Sequence, residues 1–149
     1  MKAIKIIFLA MLMTSCAISK TEYYEIDEAS ETISINQSKN EIFVNSNLWL
    51  VESFVSAKSI IQYSDKEAGV IAGKFKIMDD PYNTNVNKEV EAVIKIFANE
   101  GNVKISIKPL PYPRYQNYGT RADEVINIIK NKIENLIKEY EVYLNNSGI

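Results

Sequence analysis

Histidine is absent from this 149-residue chain, and cysteine and tryptophan occur once each. The missing imidazole removes the commonest general base and metal ligand, and with it Ser-His-Asp, Cys-His and the usual zinc sites. A lone cysteine cannot close an internal disulfide, so the thiol count says nothing about the redox compartment. No apolar run approaches the ~20 residues that a membrane-spanning helix requires. What remains is ordinary: 46% hydrophobic and 24% charged residues, the balance of a globular protein. The length suits one domain, which buries roughly two thirds of the surface its unfolded chain exposes.

The single cysteine has a telling position. Lys2 and Lys5 form a positive start, Ile6 to Met13 an apolar run, and Thr14 and Ser15 are small residues directly before Cys16. This is the layout of a secretory signal. The stretch LMTSC resembles the lipobox of bacterial lipoproteins, with Met13 where Leu, Val or Ile is usual. The resemblance implies cleavage before Cys16, which then carries a diacylglyceryl thioether and an N-acyl chain. Each buried methylene contributes ~0.8 kcal/mol and one chain anchors only marginally, so several chains on one thiol hold stably. The plainer alternative is an ordinary cleaved signal with an incidental cysteine. Setting aside residues 1–15, which hold Lys2 and Lys5, leaves 15 basic against 19 acidic residues, a net charge of −4. Residues 16–30 are polar and acidic without a sustained period and read as a tether. Tyr23, Tyr24 and Ile26 offer an edge strand instead. AISKT after Cys16 lacks the acidic run associated with surface display, which favours a periplasm-facing anchor.

From residue 31 to 147 the pattern reads as a single domain. ETISIN is a short strand with Ile33 and Ile35 on one face. Ser38 and Glu41 form a capping box that starts a helix. On its wheel Phe43, Leu50, Val51, Phe54 and Ala57 form a stripe, widened by Val44, Leu48 and Val55. Ile42 and Trp49 fall on its flank, either covered by a neighbouring element or docking a partner. The period then changes to two. SIIQYS and AGVIAGKFKIM form one hairpin, with Ile71, Phe75 and Ile77 opposed to Lys74 and Lys76. NKEVEAVIKIFA and NVKISIKP form a second, after a DDPYNTN loop. Lys74, Lys76, Lys104 and Lys108 beside Glu89 and Glu91 suit a solvated sheet face. A long helix follows from Arg121 to Leu144, with Thr120 and Asp123 as its capping pair. Ala122, Val125, Ile126, Ile129, Ile133, Leu136, Ile137, Tyr140 and Leu144 make an unbroken apolar stripe. Its polar face mixes Glu and Lys, which favours docking on the sheet over lying in a membrane. The order β-α-β-β-β-β-α predicts an α+β two-layer sandwich, an antiparallel sheet with two helices on one face.

The segment LWLVESFVSAKSIIQYSDKEAGVIAGKFKI carries a further resemblance. Residues 38–77 resemble an uncharacterised bacterial lipoprotein family named as a domain of unknown function with a TBP-like fold. The likeness rests on Trp49 and Phe54, then SAKSIIQY, then DKEAG and IAGK. It implies the same element order and brings no activity, substrate or catalytic residue. The fold name suggests nucleic acid, which the charge opposes. Duplex binding depends on neutralising phosphates, and a domain at −4 with mixed Lys and Glu on its open face lacks that drive.

Chemistry-bearing motifs are few. GVIAGKF is one residue short of a phosphate loop, has Phe75 in place of the hydroxyl, and continues as a strand, so its glycines serve close packing. Asp79 with Asp80, and Asp65 with Glu67, sit in turn contexts where carboxylates cap local backbone. PLPYPRYQNYGTR is the best binding candidate: Tyr112, Tyr115 and Tyr118 recur every third residue around Arg114, matching one edge of a polyproline-type turn. The competing role for these tyrosines is to cover the open end of the core. The sequence thus predicts a lipid-anchored envelope domain that binds a protein or small ligand, with no cofactor, no metal site and no nucleic acid. The alternatives are a small hydrolase using carboxylates or tyrosines, and a structural accessory subunit contacting a partner through Ile42 and Trp49.

Overall fold

Alternating apolar and polar residues pair into strands because every second side chain then reaches the same core. The computed structural model of the chain describes residues 22–54, 60–80, 89–114 and 121–147. In order they form β1 (Glu22–Tyr24), β2 (Ala29–Ser34), α1 (Lys39–Ser53), β3 (Ile61–Asp65) and β4 (Val70–Asp79). Then come β5 (Glu89–Asn99), β6 (Asn102–Pro109), β7 (Tyr112–Arg114) and α2 (Arg121–Ser147). Strands β2 to β6 make one antiparallel sheet in the order β2-β6-β5-β4-β3. This is the strand, helix, four strands, helix order that the periodicity predicts. Ile33, Ile71, Phe75, Ile94, Ile96, Val103, Ile105 and Ile107 are all buried on one face of the sheet. Both helices pack against that face and against each other, closing a two-layer sandwich.

Two departures mark where the pairing changes. Ile77, expected to continue the row of Ile71 and Phe75, falls where the β4–β5 register shifts between Lys76 and Met78, and it is only half-buried. Gly73 lies in the middle of β4 because the chain entering β3 crosses it closely. A Cβ there would sit 2.4 Å from the Ile60 carbonyl oxygen. The glycines of GVIAGKF therefore serve a close backbone approach, and a strand continues through the lysine.

The stretch read as a tether enters the fold. β1 pairs antiparallel with β7, Ile26 is buried, and β2 begins at Ala29. Tyr23 and Tyr24 do form a strand, but on β7 rather than on the main sheet. Tyr24 and Ile26 alternate over too few residues, among acidic neighbours, for a period to decide between strand and tether. Residues 1–21, which include Cys16 and the signal segment, lie outside the described residues.

Ser38 caps α1 as expected. Its Oγ accepts from the Glu41 N–H at 3.3 Å, while its own N–H donates to Glu41 Oε2 at 2.8 Å. The buried face of α1 is the predicted stripe only in part, keeping Phe43 and Leu50 but turned toward Ile42 and Trp49. Ile42, Phe43, Ser46, Trp49 and Leu50 are buried, whereas Val44, Leu48 and Val51 are exposed by 42%, 46% and 53%. Apolar residues surround this helix almost completely, so its own wheel does not select an orientation. α2 selects it. Tyr140 lies against Trp49 with ring centroids 4.7 Å apart, and its hydroxyl meets Ser46 Oγ at 2.6 Å. The single Ser46 proton goes to the Ile42 carbonyl at 2.6 Å, so Tyr140 donates to Ser46. On α2 the expected stripe is realised, with Ile126 and Leu136 at its half-buried margins.

Burial pushes the Tyr140 phenol well above its ordinary range. Because the folded-state pKa exceeds the unfolded one, the protonated phenol contributes fully below about pH 10 and that contribution is lost as pH rises further. Tyr140→Phe is expected to cost about 1 kcal/mol at neutral pH and to flatten the alkaline loss of stability. Denaturant melts across pH 7 to about 11 measure both effects.

Candidate functional site

Three residues singled out in the sequence, Ile42, Trp49 and Tyr112, go to the interior. Ile42 and Trp49, expected to be either covered by a neighbouring element or a partner contact, are 0% and 2% exposed, so they are covered and belong to the core. Trp49 is held between Tyr140 and Phe54, and Phe54 meets Phe75 at 4.9 Å between ring centroids. Tyr112 is buried too, at 3% exposure, and belongs to the core cluster. Tyr112 and Arg114 are part of β7, a strand paired to β1, and not of a polyproline edge. Tyr115 and Tyr118 lie outside the described residues, as do Val55, Ala57 and Thr120. Asp65 caps its own turn, accepting from the Ala68 N–H at 2.9 Å. That backbone bond, with a second from the Tyr63 hydroxyl, holds its carboxyl below the usual range.

The largest described concavity forms where one strand outruns another. β4 spans Val70–Asp79, but β3 pairs with it only from Val70 to Gly73. Among the described residues, Lys74 to Asp79 therefore have a strand neighbour on the β5 side alone. A cleft of about 740 Å³ lies there, lined by Ser53, Phe54, Ile60, Gln62, Lys74–Ile77, Glu89 and Glu91. A second of about 270 Å³ shares Phe54, Phe75, Lys76 and Ile77 and extends toward α2 at Ile133 and Leu136. The floor is aromatic and aliphatic, and the rim is charged. Lys74 bonds Glu91 at 2.7 Å, while Lys76 bonds Asp79 at 2.7 Å and Glu89 at 3.3 Å. The bond to Asp79, then that to Glu89, raises the Lys76 ammonium above its ordinary range. Each rim carboxylate thus faces an ammonium, and Lys76 stays a cation. Such a rim of fixed ion pairs can orient a polar ligand over the apolar floor.

Sequence reasoning passed over this cleft, although a signal was present. SIIQYS is much shorter than the strand it pairs with, so part of the longer strand had to remain open. Among the described residues, no group of three or more His, Cys, Asp or Glu side chains could hold a metal ion.

The opposite face of the sheet is wet. Lys95, Phe97, Lys104 and Lys108 point away from the helices and alternate with buried neighbours. Of the lysine–glutamate neighbours expected on this face, Lys74–Glu91 and Lys76–Glu89 form. Lys95, Lys104 and Lys108 have no ion pair among the described residues.

Residues 30–108, more than half of the chain, match the family described as "Domain of unknown function (DUF4468) with TBP-like fold". Among solved structures, a TBP-like protein from Parabacteroides distasonis is similar at 19% identity, with a TM-score of 0.61 over 89% of this chain and 99% of the other. A DUF4468 family protein from Bacteroides ovatus has 14% identity and a TM-score of 0.48, over 79% of this chain and 90% of its own. No curated protein matches the chain.

If Trp49 is core rather than contact, its fluorescence will be shielded from aqueous iodide in the folded protein and exposed after unfolding. Trp49→Ala is expected to cost about 3–5 kcal/mol, read by chemical denaturation.

Proposed function

The chain belongs to the DUF4468 family of TBP-like domains, and from that premise we propose that it is a lipid-anchored envelope domain that binds rather than catalyses. The binding element is the cleft on the uncovered edge of β4. The observation that carries this reading is an apolar floor, Phe54, Phe75 and Ile77, beside strand backbone from Lys74 onward that has no partner on this side among the described residues. An extended peptide of an envelope protein fits both: its backbone completes the ladder while alternate side chains reach the floor. A small ligand with an apolar body and a polar end fits the floor and the rim. The lipobox resemblance at Cys16 supports the anchor.

A second reading, a structural accessory subunit, is favoured by another observation. Val44, Leu48 and Val51 are spaced at i, i+4 and i+7 on the outer face of α1 and are all exposed. Its contact surface would then be this stripe and not Ile42 or Trp49.

Two measurements test the proposal. Cys16→Ala is expected to abolish incorporation of labelled fatty acid and to release the protein from the membrane fraction. Unchanged membrane association without acylation counts against the anchor. A photocrosslinking residue at Gln62 or Ile77 is expected to yield discrete adducts in the native envelope, while one at Val44 yields none. Adducts only from Val44 would transfer the role to the helix stripe.

A further inference from the structure

The three lysines of the wet face that have no ion pair among the described residues lie together. β5 and β6 pair with Lys95 opposite Ser106, Phe97 opposite Lys104 and Val93 opposite Lys108. Lys104 and Lys108 thus flank Ser106 along β6, and Lys95 faces it across the ladder. Directly opposed residues stand ~5 Å apart and same-face neighbours along a strand ~7 Å. Lys95 is thus a diagonal neighbour of both Lys104 and Lys108, and among the described residues no carboxylate forms an ion pair with any of the three. The chain as a whole is acidic, with a net charge of −2. On this face Glu91 and Glu89 are taken up by Lys74 and Lys76, so the local excess of positive charge lies at Lys95, Lys104 and Lys108. Phe97 and, two strands away, Tyr63 are exposed on this same face by 37% and 52%. Ser30 and Thr32 on β2 continue the rows with hydroxyls. The clefts described above are not lined by Lys95, Phe97, Lys104 or Lys108, so the surface suits a broad contact rather than an enclosed ligand.

The N-terminal end of the described chain is close by. β1 lies along β7, and Tyr23 shares a cleft with Glu89, Glu91 and Leu110, at the end of the sheet that carries Lys108. Cys16 precedes Glu22 by six residues. Fully extended, that length reaches at most ~20 Å.

We propose that the wet face of the sheet, centred on Lys95, Lys104 and Lys108, docks on an anionic lipid bilayer, with Phe97 and Tyr63 at the headgroup level. The orientation rests on the lipid-anchor reading, because a short leash at the Lys108 end holds this face within reach of the membrane. The electrostatic contact itself does not need the lipid. Charge acts on a bilayer within about one Debye length, roughly 8–10 Å, so the lysines of the apposed face count while the acidic helix layer is screened. Aromatic side chains with one apolar side and one wet side favour that same interface. The helices, and with them the exposed stripe of α1, then face away from the membrane.

The test uses the mature-length chain carrying Cys16→Ala, so that acylation plays no part. It is sedimented with vesicles of phosphatidylcholine alone or mixed equally with phosphatidylglycerol. Binding is expected only to the mixed vesicles and is expected to fall as salt is raised. The triple variant Lys95→Gln/Lys104→Gln/Lys108→Gln should lower partitioning by about 100-fold, roughly fivefold for each lysine. A control triple on α2, Lys130→Gln/Lys132→Gln/Lys138→Gln, should leave it unchanged, and circular dichroism confirms that both variants fold. Equal loss in the two triples overturns the proposal, as does equal binding to both kinds of vesicle. Failure to sediment together with salt-sensitive binding to poly-glutamate overturns it in favour of an acidic protein partner. Failure of the acyl-labelling experiment alone removes the leash and leaves the vesicle result standing.

Discussion

One apolar interface, between the two helices and a single face of the sheet, sets the rest of this structure. Nearly every large buried side chain belongs to it, from Ile71, Ile94, Ile96 and Ile105 on the sheet to Val125, Ile129, Tyr140 and Leu144 on α2. Because this burial is the main favourable term, elements outside the interface are positioned relative to it. A few polar bonds then select one arrangement. Gln37 donates to the Leu144 carbonyl at 2.9 Å, accepts from Asn45 at 3.1 Å, and offers its own carbonyl to the Gly101 N–H at 3.2 Å. α1, α2 and the β5–β6 turn are thereby pinned at one buried point. Lys39 adds a second tie at the start of α1, with its N–H to Glu100 and its ammonium to the Glu67 carbonyl.

Covering one face leaves the other free, and both candidate surfaces follow from that asymmetry. The wet face needs polar side chains, yet nothing in folding requires them to be unpaired lysines. The open edge of β4 is likewise more than an accident of length. Edge strands are commonly protected by lysines and bulges, and β4 has Lys74, Lys76 and a register shift there. Those devices discourage indiscriminate strand pairing while leaving a floor of Phe54 and Phe75 for a specific guest. The core aromatics and the cleft are continuous: Tyr140, Trp49, Phe54 and Phe75 follow each other in ring contact. The rigidity of the interior is thus carried to the wall of the site.

Much of the fold was legible because alternation and the helical period report burial directly. α2 is the clearest case, with a stripe on one side only, so that one orientation buried it. α1 was legible as a helix, through Ser38 and Glu41, but not in its rotation. Val44, Leu48 and Val51 are as apolar as the residues that were buried, and the choice fell to Tyr140, about 90 residues further along the chain. Tyr112 showed the same limit. Recurring tyrosines and prolines suggest a surface motif, but β1 pairs with that segment and Tyr112 turns into the core. The cleft has no motif of its own, and its one trace in the sequence is the shortness of SIIQYS against the strand it pairs with.

The sequence by itself determined the types and order of the five main-sheet strands and two helices, the alternation of the sheet faces and the cap of α1. These depend on neighbours within a few residues, where backbone geometry repeats. Tertiary structure alone decided which side of α1 is inside, that residues 22–26 join the body, and where β4 is left uncovered. Each of those outcomes depends on contact between segments far apart in the chain, and no local period carries that information.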